Sequence, residues 1–262
     1  MNIINTTTMQ IILSLISGIF IGGISAYLGT LMLSKKMTVV AGPLAHLAFP
    51  GVAIALVFGL SISTGVFPFV VLGTILIWYL EKKTKLPLEN LSAIIFALGV
   101  GIGLLFLPID KAEEALVGSI ISITPGETFF VIILSIIIFL VTRYIYKKVI
   151  LINIDEDLAK IEGVKVSKYN LIYLLSVAAV VSLGVYLVGA LITVALIALP
   201  PASAKNISSS FRSYKMWAII FGMISAMGGI LIARWLEAPI GPVVVLTGVA
   251  IFLLTMIFKS RA

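Results

Sequence analysis

The segment MQIILSLISGIFIGGISAYLGTLML, residues 9–33, contains no charged side chain. A helix of this length reaches across the hydrocarbon core of a bilayer, which is roughly 30 Å thick, because an α-helix rises about 1.5 Å per residue. No basic region precedes the segment, and it is too long for the apolar core of a cleaved signal peptide. We therefore predict that it is a retained membrane span.

The whole chain has the composition of a membrane protein. Apolar residues make up 61% of the 262 residues, charged residues 11%, and the mean hydropathy is +1.23. The apolar runs lack the short-range alternation of polarity that marks a membrane β-barrel. We predict an all-α, polytopic membrane helical bundle with eight or nine transmembrane helices, forming a single domain over residues 1–262. The predicted spans are 9–33, 37–59, 62–80, 89–107, 126–146, 169–189, 190–204, 215–235 and 239–258.

The number of crossings depends on the segment 190–204. This segment is short and ends in the proline pair Pro200 and Pro201. It is therefore either a full crossing or a half-helix that lines a cavity, where freed backbone groups find partners.

The basic residues orient the predicted spans. With the N-terminus outside, every lysine and arginine except Lys111 and Arg234 falls in a cytoplasmic loop or tail. Cytoplasmic loops of membrane proteins carry such an excess of basic residues. The formal charge of +7 is thus explained by membrane orientation, and we predict a multi-pass cell-membrane protein that does not bind nucleic acid.

The positions of the acidic residues and the absence of cysteine exclude several functions. Every aspartate and glutamate lies in a loop or at the end of a predicted span, whereas proton- and sodium-coupled carriers commonly use buried acids. The chain has no cysteine, which excludes disulfides, thiolate metal sites and thiol catalysis. A single histidine without a nearby acid or thiol provides no acid–base pair, so we predict that the chain is not an enzyme.

Two local patterns predict how helices begin and meet. TPGE, residues 124–127, has the spacing of a capping box, with proline at the first helical position, although a cation-attracting role for Glu127 at the outer mouth is the alternative. The pairs Gly18 and Gly22, and Gly99 and Gly103, lie four residues apart. We predict that these pairs allow close helix packing.

The longest predicted cytoplasmic loop, residues 147–168, contains a short amphipathic helix. Asn153 or Asp155 can cap its start, and Gly163 can end it in a left-handed conformation. Leu158 and Ile161 share one face because they are three residues apart. The helix either docks on a soluble motor subunit or is a solvated loop helix without a partner.

The only histidine, His46, lies in AGPLAHLAFPG, residues 41–51. Proline has no N–H, so in a continuous helix Pro50 would leave the carbonyl of His46 unpaired, and Pro43 would free that of Val39. His46 lies about 14 Å along the helix from Met37, near the middle of the bilayer. The residues therefore either form part of a cargo path that briefly holds a cation, or shape a kink in which the imidazole bonds a neighbouring helix.

Four segments of this sequence carry a family resemblance. They resemble, in the same order, motifs of the metal-ion permeases of binding-protein-dependent ABC importers, the zinc and manganese uptake family. The segments are KKMTVVAGPLAHLAFPGVAIALVFG (35–59), NIDEDLAKIEGVKV (153–166), VGALITVALIALPPASAK (188–205) and EAPIGPVVVLTG (237–248).

The resemblance implies a homodimeric permease of a prokaryotic cell membrane that imports zinc, manganese or iron. It implies two further partners, an extracytoplasmic metal-binding protein and a separate ABC ATPase. The ATPase is expected to be a separate subunit because this chain has no nucleotide-binding motif of the form GxxxxGK[ST]. No cofactor is expected on the chain itself; the divalent metal is cargo. The implied ATPase-docking residues are Asp155, Glu156, Asp157, Leu158, Ile161 and Gly163.

The implied metal site departs from the family pattern at one position. The family motif places an aspartate four residues before the histidine, on the same helical face, and this sequence has Gly42 there. His46 then remains as the metal ligand, with Gly42, Pro43 and Pro50 beside it along the cargo path. The departure leaves two alternatives open, which are a permease for an uncharged or monovalent cargo and a membrane scaffold that transports nothing.

Overall fold

The computed structural model describes residues 2–34, 44–45, 47–58, 62–106, 123–188 and 190–258. Every long regular element in these ranges is an α-helix, which confirms the predicted all-α fold. The helices are α1 (Asn2–Ser34), α2 (Ala48–Phe58), α3 (Ile62–Thr84), α4 (Leu88–Phe106), α5 (Pro125–Ile154), α6 (Glu156–Ile161), α7 (Val166–Val188), α8 (Ala190–Ile207), α9 (Phe211–Trp235) and α10 (Ile240–Ile257).

Six helices of the described chain are long and apolar enough to cross a membrane. Their apolar spans are Met9–Ser34, Gly65–Thr84, Pro125–Ile154, Val166–Val185, Phe211–Trp235 and Ile240–Ile257. The stretch Asn90–Ile102 of α4 is apolar but shorter. The chain is therefore a multi-pass membrane protein, while the predicted count of eight or nine crossings is not confirmed.

Helix α1 packs against α5, α7, α8 and α9. It lies in backbone contact with α9, where a Cβ atom built on Gly22 would lie 2.3 Å from the carbonyl oxygen of Gly222. A Cβ atom on Gly18 would meet Ile230 at 2.6 Å. These contacts confirm that Gly18 and Gly22 form a packing face. Within a membrane, such close contact replaces the hydrophobic effect as the source of helix association.

Hydrogen bonds show that α1 and α5 run in the same direction. They join Ser17 to Thr128 at 3.3 Å, Thr30 to Tyr146 at 2.9 Å, and Asn153 to Ser34 at 3.2 Å. Helix α9 runs the opposite way, since Gly22 of α1 faces Gly222 and Gly18 faces Ile230. Ser34, Asn153 and the start of α9 thus meet at one end of the bundle.

We call this end of the bundle the basic end. The basic residues of the described ranges lie at this end, with the exception of Arg234, which lies in the last turn of α9. They are Lys82, Lys83, Lys85, Arg143, Lys147, Lys148, Lys160, Lys165, Lys168, Lys205, Arg212 and Lys215. The directions of the helices therefore agree with the charge bias from which the orientation was predicted.

Helices α3, α5 and α8 extend at least three residues beyond the ends of their predicted spans. Helix α5 begins with the predicted capping box: the Thr124 N–H donates to Glu127 Oε2 at 2.8 Å, and the Glu127 N–H donates to Thr124 Oγ1 at 3.3 Å. It continues to Ile154 instead of ending at residue 146. Helix α8 continues through both prolines to Ile207, so the proline pair does not end it.

The proline pair of α8 is accommodated by contact with α1. Pro201 cannot donate to the carbonyl of Ile197, because proline has no N–H. That carbonyl lies against the backbone of α1, where a Cβ atom on Gly29 would be 2.0 Å from the Ile197 oxygen. The helix therefore persists because a glycine of the neighbouring helix leaves room for the freed carbonyl.

Candidate functional site

The residues predicted for the cargo path are only partly described. Gly42, Pro43 and His46 lie outside the described residues, and their roles stay predictions. Pro50 is buried and is the third residue of α2. The four N-terminal N–H groups of a helix have no acceptor within it, so Pro50 removes no helical hydrogen bond there.

A turn at Leu47 interrupts the described part of the predicted span over residues 37–59. Leu44 and Ala45 are helical, Leu47 lies in a turn with its N–H 3.2 Å from the carbonyl oxygen of Leu44, and α2 begins at Ala48. The eleven residues of α2 are too few to cross the hydrocarbon core alone. Pro50 therefore stabilises the start of a new helix, where its fixed φ fits, instead of kinking a continuous one.

Protein surrounds the helix interruption on both sides. Leu44, Ala45, Leu47 and Ala48 are all buried, with at most 5% of their surface exposed. Leu47 fits against Gly73 of α3, where a Cβ atom would approach the Leu47 Cδ1 to 2.3 Å. Broken helices in membrane proteins are tolerated where protein buries them or where they line a cavity, and they commonly form transporter sites.

Glycines hold α2 close to α3 immediately after the interruption. A Cβ atom on Gly51 would lie 2.6 Å from the carbonyl oxygen of Gly65, and one on Gly65 would lie 2.2 Å from that of Gly51. The two backbones are therefore in direct contact, which fixes the position of Pro50 beside Gly51. Within the described ranges, no three potential ligands among His, Asp and Glu come together as a metal site.

The predicted docking helix is present as α6, and its ends match the local sequence signals. Asp155 is the N-cap, and its Oδ1 accepts hydrogen bonds from the N–H groups of Asp157 and Leu158, both at 2.9 Å. Gly163 has a φ of +75°. The Gly163 N–H donates to the carbonyl of Lys160 and the Val164 N–H to that of Ala159, the two bonds of a Schellman motif.

Helix α6 has one buried and one exposed face. Ala159 is fully buried, whereas Leu158 is 43% and Ile161 is 82% exposed. Helix α6 contacts both α5 and α7, and Val164 beyond it packs on the core. The small side chain of Ala159 therefore seats the helix on the bundle, while the two predicted docking side chains point away from it.

The charges around this exposed face are partly paired. Lys160 Nζ lies 3.0 Å from Glu156 Oε1 and 3.1 Å from Asp157 Oδ1, and hydrogen bonds to these two carboxylates raise the pKa of the Lys160 ammonium. Asp155 is engaged in capping. The face thus presents two large apolar side chains within a hydrated, charged border.

Long-range hydrogen bonds brace the helices that carry α6. The ammonium of Lys148 in α5 donates to the hydroxyl of Tyr169 in α7. Trp78 Nε1 of α3 donates to the carbonyl of Ser167 at 3.2 Å. Sequence reasoning missed these braces. The enrichment of Trp and Tyr at membrane boundaries is the signal that marks such residues, but it does not identify their partners.

Gly163→Ala is expected to destabilise the end of α6 by about 1 kcal/mol, because a left-handed conformation is costly for residues with a Cβ atom. Amide hydrogen exchange should become about fivefold faster over residues 158–162. Gly126→Ala is the matched control, since a Cβ atom meets nothing within 4 Å at either glycine and only Gly163 has a positive φ. Equal exchange rates in the two variants would contradict the conformational argument.

Comparisons with known proteins cover almost the whole chain. The sequence profile described as "ABC 3 transport family" matches residues 7–259. The "High-affinity zinc uptake system membrane protein ZnuB" of Haemophilus influenzae is 27% identical over 253 residues, covering 95% of this chain and 97% of the relative. The "Manganese import system permease protein ScaB" of Streptococcus parasanguinis is 24% identical over 252 residues, covering 95% and 90%.

Two solved structures share the fold. One is "PsaBC from Streptococcus pneumoniae in complex with Fab", with a TM-score of 0.79, 23% identity, and coverage of 95% of this chain and 91% of that chain. The other is "An inward-facing conformation of a putative metal-chelate type ABC transporter", with a TM-score of 0.75, 20% identity, and coverage of 94% and 85%. At these identities the likeness establishes the architecture of the bundle.

Proposed function

Because the chain belongs to the ABC 3 transport family, we propose that it is the membrane permease subunit of an ATP-driven importer for divalent transition metal ions, namely zinc, manganese or iron. The observation that carries the proposal is the family match over residues 7–259. Relatives aligned over more than nine-tenths of this chain are named for zinc and manganese uptake. The four sequence motifs and the described helices fit the same function.

The proposed cargo path passes His46 beside the interruption before α2. Its neutral imidazole and nearby backbone carbonyl oxygens are ligands that a transition-metal dication accepts. Gly42 leaves the path without the carboxylate that the family motif supplies, so the ion is held weakly and retains water. Buried residues on both sides of His46 and the tight contact of Gly51 with Gly65 support a fixed, protein-enclosed position for this path.

The importer requires partners beyond this chain. A separate ATPase docks on the exposed face of α6, an extracytoplasmic protein delivers the metal, and a second copy of the permease completes the complex. The cell-membrane orientation places the basic end in the cytoplasm. Helices α4 and α8, together with α2 and the residues before it, supply the further crossings that give eight or nine in total.

Gly42 also supports a second candidate, an importer of an uncharged or monovalent cargo. A desolvated dication requires compensating negative charge, and every acidic residue lies in a loop or close to the end of an apolar span. The third candidate function is a membrane scaffold that transports nothing. In that case the assembled complex would take up no substrate.

Metal uptake by vesicles that contain the complete complex tests the proposal. We expect wild-type protein to accumulate Zn²⁺, Mn²⁺ or Fe²⁺ when ATP is present, and His46→Ala to lower the rate at least tenfold. Gly42→Asp is expected to retain metal more tightly, because it restores a carboxylate on the face of His46. Gly126→Ala controls for assembly. Unchanged uptake of every metal in assembled His46→Ala complexes would refute the assigned path.

A further inference from the structure

A cavity of about 390 Å³ opens at the basic end, between the end of α1, the end of α8 and the start of α9. Its polar wall consists of Ser34, Lys205 and the serine run Ser208–Ser210. Neither the predicted cargo path nor α6 contributes to its lining. The cavity therefore requires an explanation apart from metal passage and ATPase docking.

The electrostatic environment of this cavity is positive. No acidic residue occurs between Lys205 and Leu236, and the first turn of α9 contains none. Within the described part of the chain, Lys205 forms no ion pair. Asn153 bonds Ser34 of the cavity wall, and the carboxylate of Asp155, two residues further along the chain, already caps α6. The cavity thus favours an anion.

The start of α9 supplies hydrogen-bond donors to the same cavity. Ser210 caps this 25-residue helix, and its Oγ accepts the N–H of Ser213 at 3.2 Å. The Tyr214 N–H donates to the Ser210 carbonyl at 2.8 Å. The N–H groups of Phe211 and Arg212 have no acceptor within the helix, and the helix dipole adds partial positive charge there.

Ser208 provides an independent indication of a ligand. This residue lines the cavity, and its Oγ is buried without a hydrogen-bond partner among the described residues. A buried hydroxyl that lacks a partner costs free energy, so such groups normally bind something. An anionic oxygen in the cavity would accept the Ser208 hydroxyl proton and the Lys205 ammonium together.

The remaining wall of the cavity is apolar, and this favours a phospholipid over a free phosphate ion. Leu33, Phe211 and Tyr214 line it, and 56% of the Phe211 surface is exposed. A free phosphate ion gains nothing from this wall, whereas a phospholipid can place its glycerol and upper acyl carbons there. We propose that the cavity binds the phosphate of an anionic phospholipid from the inner leaflet, held by Lys205, Ser208 and the start of α9.

Lipid binding to the purified full-length chain in detergent tests this proposal by native mass spectrometry. The probes are phosphatidylglycerol, phosphatidylcholine with the same acyl chains, and inorganic phosphate as a competitor. We expect phosphatidylglycerol to bind more tightly than phosphatidylcholine. Lys205→Gln should weaken phosphatidylglycerol binding about fivefold, whereas Lys83→Gln, which removes the same charge at the end of α3, should change it less than twofold.

Ser208→Ala separates lipid binding from folding. Removing an unpartnered buried hydroxyl should leave the lipid-free unfolding midpoint equal or higher, while phosphatidylglycerol binding falls about threefold. Equal binding by the Lys205 and Lys83 variants would overturn the site. Binding of inorganic phosphate without preference for phosphatidylglycerol would overturn the lipid assignment. An unchanged affinity in Ser208→Ala would likewise refute the assigned cavity.

Discussion

Gly22→Ala is expected to lower the stability of the folded bundle by about 3 kcal/mol, because it forces apart two helices whose backbones touch. The added methyl group would lie 2.3 Å from the carbonyl oxygen of Gly222 and 3.0 Å from the Cβ of Ala226. A backbone carbonyl cannot rotate away as a side chain can. Helices α1 and α9 must therefore separate, and they lose contacts along their shared face. The thermal unfolding midpoint in detergent measures this loss.

Gly101→Ala is the matched control for this prediction. Gly101 lies within α4, is exposed, and has no atom within 4 Å of an added Cβ. Alanine favours helices more than glycine by about 1 kcal/mol, so this variant should be as stable as the wild type or slightly more stable. Equal unfolding midpoints for the two alanine variants would show that the contact between Gly22 and Gly222 does not limit stability.

Helix position within the chain was predictable where an apolar run ends at charges or prolines. The predicted spans 215–235 and 239–258 closely match α9 and α10, which end at Trp235 and Ile257. Membrane thickness imposes a minimum apolar length, and this constraint acts on each segment by itself. Local composition therefore located these helices without information about their neighbours.

Helix ends were less predictable where tertiary packing opposes the local signal. The charges of Lys147 and Lys148 indicated the end of α5, yet the helix continues because Val149 and Ile152 are buried against the core. The opposite case is the span over residues 37–59, which was predicted as one apolar segment. A turn at Leu47 interrupts it, and the apolar residues around that turn are as buried as those of a helix.

The predicted docking site on α6 depends on local sequence signals, whereas the predicted cargo path near His46 depends on helix packing. Capping and termination depend on residues a few positions apart, so sequence spacing limited the cap to Asn153 or Asp155, of which Asp155 is the cap, and predicted termination at Gly163. The contact of Gly51 with Gly65 and the bond of Lys148 to Tyr169 depend on how helices pack. No pattern in the sequence specifies those pairs. For this reason the shape of α6 was predictable, and the protein wall around the residues near His46 was not.

Replacing both Leu158 and Ile161 with aspartate is expected to weaken association with the ATPase subunit by on the order of 100-fold or more. Burying one such apolar side chain contributes roughly 1.5–3 kcal/mol, and each 1.4 kcal/mol corresponds to a tenfold change in affinity. The aspartates would also bring new negative charge beside Glu156 and Asp157. Because both positions are exposed, the variant bundle should fold with an unchanged unfolding midpoint.

Leu86→Asp provides the control for a general effect of charge at the basic end. Leu86 is 41% exposed and lies in the connection between α3 and α4, outside α6. Pull-down of the ATPase subunit by purified complexes should therefore succeed for Leu86→Asp and fail for the double variant. If the double variant retains the ATPase as well as the wild type does, α6 is not the docking element. If both variants lose it, the contact surface extends beyond α6 to the connection that contains Leu86.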